Sequence, residues 1–345
     1  MLTDDTENHY HLVIKLLNNI HEVKTLKRKW QAILLILIVA LFATACGTTD
    51  SASNASETEK ETAKEPETLT ITHQLGETTI EKNPQKVVVF DYGVLDSLDK
   101  LGVEVVGLPK QSLPGYLEKF NDEKYVNAGG LKEPDFETIN EMAPDLIIIS
   151  GRQQDSYEEF SEIAPTIFMG LDTTKYMDSY KENANLLGEI FGKEAEVETE
   201  IAKVEEAITG LNEKATASGK NGLIVLANEG NISAYGPGSR FGILHDVFGV
   251  KPVDEKIEVS THGQNISFEY LVEKDPDYLF IVDRGSVVEG GQSSAKSIVE
   301  NKLVENISAV KNDNVVYLNA DFWYLSGGGL TSVAEMVKEI EAAIQ

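Results

Sequence analysis

Two stretches of this chain superimpose without a gap. Phe136 to Arg152 reads FETINEMAPDLIIISGR, and Phe268 to Arg284 reads FEYLVEKDPDYLFIVDR. The opening Phe-Glu, the central Pro-Asp, the apolar run and the closing Arg all coincide. Each copy places apolar residues at helical spacing, then a Pro-Asp turn, then a short apolar run of strand type. The expected local structure is a helix feeding a buried strand, with the Arg just past the strand's carboxyl end. In open α/β sheets ligands bind at that end. Such a duplicated unit points to an α/β protein of two Rossmann-like lobes, each with a central sheet, facing a shared cleft.

The use of arginine sharpens this expectation. Of the 30 basic residues only Arg28, Arg152, Arg240 and Arg284 are arginines. Arg152 and Arg284 close the two repeat copies, and Arg240 lies in the Gly-rich stretch YGPGSRFG, at a helix entry where N–H groups add positive potential. A guanidinium is permanently charged, forks onto anionic oxygens and stacks on aromatic faces. Three of them in one cleft repel one another unless a guest carries several negative charges. The competing reading pairs each with a nearby carboxylate.

Composition excludes several classes. At 345 residues the chain has room for two domains and a connector. A formal net charge of -27 argues against binding nucleic acid or an anionic membrane through a broad basic face. The single cysteine, Cys46, permits no disulfide framework and no Cys-based metal site. His73, His245 and His262 are scattered and form no metal-binding motif, so any metal is expected to arrive already chelated. From Gly236 the Gly-rich stretch runs G-x-G-x-x-x-G, one residue too long for a dinucleotide fingerprint, and no Walker A sequence occurs. No nucleophile–base pair is apparent, so no enzyme is expected and no cofactor.

Along the chain, residues 1–45 read as a leader. Lys24, Lys27, Arg28 and Lys29 precede the apolar run Ala32 to Ala43, and Ala43-Thr44-Ala45 leads directly into Cys46, the pattern of a secretory signal. Residues 1–22 are a polar preface that such signals rarely carry; a start codon misassigned upstream of Val23 or Leu26 is one explanation, checkable by the intact mass of the precursor. Residues 46–67 are Ser, Thr, Ala, Glu and Lys with almost no large apolar side chain, and read as a flexible tether. Residues 68–176 are expected to form the N-terminal lobe, 177–217 a long connecting helical region with one break near Gly188, Gly192 and Lys193, and 218–345 the C-terminal lobe. Ser233 to Gly242 is expected as a loop before a helix over Phe241–Phe248.

Further candidates carry weaker signals. Tyr92, Tyr235, Trp323 and Tyr324 fall in expected loops near strand ends, where aromatics stack on flat ligands; core packing explains each nearly as well. Lys110 and Lys132 either supplement a positive cleft or are solvated surface. Glu137 and Glu269 hold matched places at the start of the repeat helix. A helix dipole accounts for both, and so does one exposed carboxylate per lobe presented to a two-fold partner.

A lipobox-like Cys46, a polar tether, two α/β lobes and one long connecting helix together resemble the helix-bridged substrate-binding proteins that serve ABC importers for iron–siderophores, haem and cobalamin. The stretches VVVFDYGVLDSLDKLG, PDFETINEMAPDLIIISGR, YGPGSRFGILHD, ISFEYLVEKDPDYLFIVDRG and DFWYLSGGG look most like those of catecholate-siderophore binders of Gram-positive bacteria. The resemblance implies a basic triad at Arg152, Arg240 and Arg284, permease-docking glutamates at Glu137 and Glu269, and Lys132 and Trp323 lining the cleft. It also implies a monomer acylated at Cys46 and held on the outer face of the cell membrane. The guest implied is a ferric catecholate siderophore; haem or another anionic chelate, and a nucleotide-dependent α/β enzyme, are the alternatives. Acylation makes a direct prediction. Cys46→Ser is expected to move the protein from the detergent phase to the aqueous phase in a partitioning assay, and unchanged partitioning contradicts it.

Overall fold

The computed structural model describes residues 67–288 and 291–344, so the leader, Cys46 and the tether lie outside it. The chain enters with an antiparallel hairpin, β1 (Thr68–His73) and β2 (Gly76–Glu81). The first lobe follows: β3 (Val87–Val89), α1 (Tyr92–Lys100), β4 (Gly107–Leu108), β5 (Val126–Asn127), α2 (Phe136–Met142), β6 (Leu146–Ile149), α3 (Tyr157–Ile163) and β7 (Thr166–Phe168). Its five strands are all parallel, in the order β5-β4-β3-β6-β7. The chain winds outward from β3 and returns beside it as β6, so the topological switch lies between these two strands. Arg152 follows β6, at the carboxyl end where such sheets bind ligands.

Two helices then cross the molecule, α4 (Tyr176–Phe191) and α5 (Glu194–Ser218). The break expected near Gly192 is there: Gly192 adopts φ +62°, a left-handed cap that a side chain disfavours. The 25 residues of α5 span about 38 Å. Its buried residues Val197, Ile201, Val204, Leu211 and Ala215 recur at helical spacing and form one face.

The second lobe comprises β8 (Asn221–Asn228), β9 (Asn231–Tyr235), α6 (Ile243–Asp246), β10 (Lys251–Pro252), β11 (Gln264–Ile266), α7 (Phe268–Lys274), β12 (Tyr278–Asp283), α8 (Ala295–Val299), α9 (Ser308–Lys311), β13 (Val315–Leu318) and α10 (Leu330–Ala343). Its strand order is β11-β9-β8-β12-β13, with β10 paired to β8; β9 runs antiparallel, and β12 and β13 run parallel to β8. The loop expected from Ser233 is in part strand. Glu229 and Gly230, both at positive φ, make a two-residue turn that folds β9 back on β8. The helix expected over Phe241–Phe248 is confined to α6.

The duplicated stretch explains itself in three dimensions. Each copy ends its helix on a left-handed residue, Ala143 (φ 46°) or Asp275 (φ 44°), directly before Pro144 or Pro276. The aspartate after each proline then fastens the start of the neighbouring first strand. Asp145 Oδ2 accepts from Lys86 N at 2.9 Å, and Asp277 Oδ2 accepts from Asn221 N at 2.9 Å. Strand, turn and helix are thus held by the same bond in both lobes.

Strand alternation sorts the core. Val87, Val89, Leu146 and Ile148 face inward with Ile224, Leu226, Phe280 and Val282, and the helices α1, α4, α5 and α10 fill the same cluster. The alternate residues, such as Ile147 and Ile149 or Leu223 and Ile281, enter separate outer clusters. Strands buried on both faces read as unbroken apolar runs, and one inner core joins the two lobes. Among the described residues no helix is long and apolar enough to cross a membrane.

Candidate functional site

Between the lobes lies a cleft of about 1640 Å³. Its floor is a single turn of π-helix, Asp321–Leu325, closed by the bond from Ser326 N to Asp321 O at 3.0 Å. The carbonyls at the end of such a turn have no helical partner. Arginines take the one on Tyr324. Arg152 from the first lobe donates to Tyr324 O at 3.1 Å, and Arg240 from the second donates to the same oxygen at 2.6 Å. Arg284 donates through Nε to Tyr324 Oη at 2.9 Å and through one terminal nitrogen to Asn228 Oδ1 at 2.8 Å. The ring also takes part: the Arg240 guanidinium carbon stands 4.3 Å from the Tyr324 centroid and that of Arg284 5.9 Å. All three arginines of the folded body therefore converge on one tyrosine.

Local structure fixes each of them. Gln153, buried beside Arg152, accepts from Ser150 N at 3.1 Å and donates to Leu131 O at 2.6 Å. The loop before Arg240 is held by Asp246 Oδ2, which accepts from Gly238 N at 2.6 Å. Asp283, which ends β12, accepts from Gly285 N, Ser293 Oγ and Ala295 N and pins the start of the Arg284 loop.

Among the described residues none of the three arginines forms an ion pair with a carboxylate. Burial and then the neighbouring Arg152 charge pull the Arg240 pKa below its ordinary value. At Tyr324 burial pushes the phenol up, but the Arg284 bond and the charges of Arg240, Arg284 and Arg152 outweigh it, and the net shift is downward. The three guanidinium groups thus meet without an ion-paired carboxylate, while Asp91, Asp155, Asp172 and Glu182 line other parts of the cleft.

Arg152, Arg240, Lys132 and Tyr324 line the cleft, and Trp323 borders it with almost no exposed surface. Arg284 does neither; it stands behind Tyr324, against Asn228. Three further expectations are corrected. Tyr92 is fully buried and its hydroxyl donates to Pro109 O at 3.0 Å and Gln111 O at 2.8 Å, which ties a loop to α1. Tyr235 is fully buried too, packed on Phe241 with centroids 4.5 Å apart. Lys110 is turned away, with Nζ donating to Asn121 O at 3.1 Å and Asp122 O at 2.8 Å. Trp323 is only 2 % exposed, and its indole N–H donates to Glu339 at 2.8 Å, so it supports the floor from beneath.

Sequence reasoning missed Asn228 and His262. The first is a strand-end amide with no distinguishing neighbour; the second lines the cleft wall next to Val259. Glu137 and Glu269 are exposed in the first turns of α2 and α7 and do not line the cleft. Among the described residues no group of three or more His, Cys, Asp or Glu side chains is placed to hold a metal ion.

The crowding of Tyr324 has a measurable consequence. In an ultraviolet pH titration one phenol should ionise below the ordinary tyrosine range; Tyr324→Phe should remove that step and Arg284→Ala should shift it upward. Because the folded pKa is the lower one, this ionisation stabilises the fold only in alkali. Its contribution is complete above the unfolded value near 10 and is lost as pH falls through the folded one. A first phenol step that survives Tyr324→Phe contradicts the arrangement.

Residues 87–322 match the family described as periplasmic binding protein. The petrobactin-binding protein YclQ of Bacillus subtilis is 50% identical over 322 residues, spanning 92% of this chain and 99% of that protein. Its crystal structure superposes with a TM-score of 0.79 at 54% identity, covering 81% of this chain and 99% of the other. The periplasmic catecholate-siderophore binding protein VctP of Vibrio cholerae superposes with a TM-score of 0.76 at 38% identity, covering 80% of this chain and all of that one, at 100%. These relatives are named as binding proteins, and they share the two-lobed α/β architecture expected from the repeat. Likeness of this extent reaches past shape to common descent, and the chain belongs to the periplasmic binding protein family.

Proposed function

We propose that the chain captures a ferric catecholate siderophore of the petrobactin type and delivers it to an ABC importer in the membrane. The observation that carries this reading is the convergence of Arg152, Arg240 and Arg284 on Tyr324 without a carboxylate partner. Iron held by three catecholates has a net charge near -3, and its flat rings stack on guanidinium and on phenol. Such a guest supplies the missing negative charge, and it brings its own metal. No covalent bond is made or broken. The volume of about 1640 Å³ accommodates a chelate larger than most metabolites.

The reading extends to the rest of the cycle. Acylated Cys46 and the tether hold the monomeric receptor at the outer face of the membrane. Glu137 and Glu269, one on each lobe, dock it on the permease, and the chelate leaves through the open side of the cleft. Lys132 and Tyr324 contact the guest; Arg284 acts through Tyr324 and Asn228 until the guest arrives.

An absorbance titration tests the reading. Ferric petrobactin should bind with its charge-transfer band retained, a neutral ferric trihydroxamate should bind at least tenfold more weakly, and haem should show no Soret shift. Each charge-assisted bond contributes on the order of 1.5–3 kcal/mol, so Arg240→Ala should weaken ferric petrobactin by roughly 10- to 100-fold. Equal affinity for the neutral chelate, or an Arg240→Ala variant that binds like the parent, overturns the reading.

A further inference from the structure

The last segment of the second lobe is fastened to the first lobe. The leading N–H groups of α10 need partners from outside the helix, and α1 of the first lobe supplies them. Asp96, 1 % exposed, accepts from Thr331 N at 3.0 Å and from Ser332 N at 2.7 Å, and Ser97 Oγ accepts from Leu330 N at 3.1 Å. The negative charge suits a helix N-terminus. Glycine makes the approach possible. A Cβ on Gly329 would collide with Asp96 Oδ2, and one on Gly93 would lie 2.8 Å from Gly327 O.

The same clamp reaches the cleft floor. Tyr116 Oη lies 3.2 Å from Asp96 Oδ2 and 2.7 Å from Ser326 Oγ, and Ser326 Oγ donates to Asp321 O at 2.6 Å. Asp321 Oδ2 in turn accepts from Gly115 N at 2.9 Å. Both ends of the π turn are therefore bonded to the first lobe, and Tyr324 lies between them. Asp96 itself does not line the cleft.

We propose that Asp96, acting through Tyr116 and the turn Asp321–Ser326, is a positioning residue for ligand capture: it sets where the Tyr324 carbonyl stands, and so how closely Arg152 and Arg240 meet. This rests on the arginines being the ligand-binding groups. The clamp makes the C-terminal segment a second bridge between the lobes, besides α4 and α5. A buried carboxylate whose partners are N–H and O–H donors, with no cation among them, holds its geometry through several directional bonds at once. Loss of one loosens the turn without emptying the core.

The test uses Asp96→Asn and the milder Tyr116→Phe, in the full chain carrying Trp30→Phe so that Trp323 is the remaining tryptophan. Ile340→Val, buried in α10 and apolar, is the control for stability alone. Without ligand, both clamp variants should red-shift Trp323 emission and raise its quenching by acrylamide. Both should weaken ferric petrobactin about tenfold. Ile340→Val should lower the melting temperature and change neither. Clamp variants that melt earlier but keep the parent's Trp323 emission, or keep its affinity within twofold, overturn the proposal. If the parent does not bind ferric petrobactin, the siderophore reading fails by itself, and Trp323 emission in the ligand-free variants still decides this one.

Discussion

The structure turns on one carbonyl oxygen. Arg152 and Arg240 reach Tyr324 O from opposite lobes, so their donating nitrogens stand within about 6 Å of each other. At an effective dielectric constant near 20, two charges at that distance repel by on the order of 3 kcal/mol. The carbonyl dipole and the Tyr324 ring offset part of that cost, and Arg284, bonded to the Tyr324 hydroxyl, adds a third positive charge. A cluster that ordinary carboxylates would neutralise is instead left positive, in a chain whose net charge is -27. Against the acidic surface elsewhere, the floor is a local exception in the charge of the molecule.

Placing three cations there requires a rigid frame, and the fold provides it twice over. The repeated Pro-Asp fastens β6 and β12 to the neighbouring first strand at their amino ends, which sets the register of the strands whose carboxyl ends lead to Arg152 and Arg284. The helices α4 and α5 carry one inner core from lobe to lobe. The C-terminal turn and α10 then press against α1, so that the floor is shared by both halves. Lobe motion that separated Arg152 from Arg240 would have to break the bond of one of them to Tyr324 O.

Much of this was legible in the sequence, for physical reasons. The gapless repeat carried its own helix, turn and strand, because periodicity and the Pro-Asp stop are local signals. The three arginines stood out because lysine fills almost every other basic position. The break at Gly192 followed from the freedom of glycine at positive φ. What could not be read depended on distant partners. Tyr92, Tyr235 and Lys110 sit near strand ends, as a ligand-binding residue would, but burial turned both tyrosines into core and backbone carbonyls captured the lysine. Asn228 acquires its role only from Arg284, 56 residues away in the chain. The sequence marks Tyr324 by its ring, whereas its backbone oxygen does most of the gathering, and no side-chain pattern reports a carbonyl freed by a π turn.

The most direct measurement is a crystal structure of the chain with ferric petrobactin, with iron located by its anomalous scattering. The account predicts iron above Tyr324, and the guanidinium groups of Arg152, Arg240 and Arg284 turned from the tyrosine to the catecholate oxygens. Iron bound elsewhere, or all three arginines still bonded to Tyr324 and Asn228 beside a bound chelate, would contradict it.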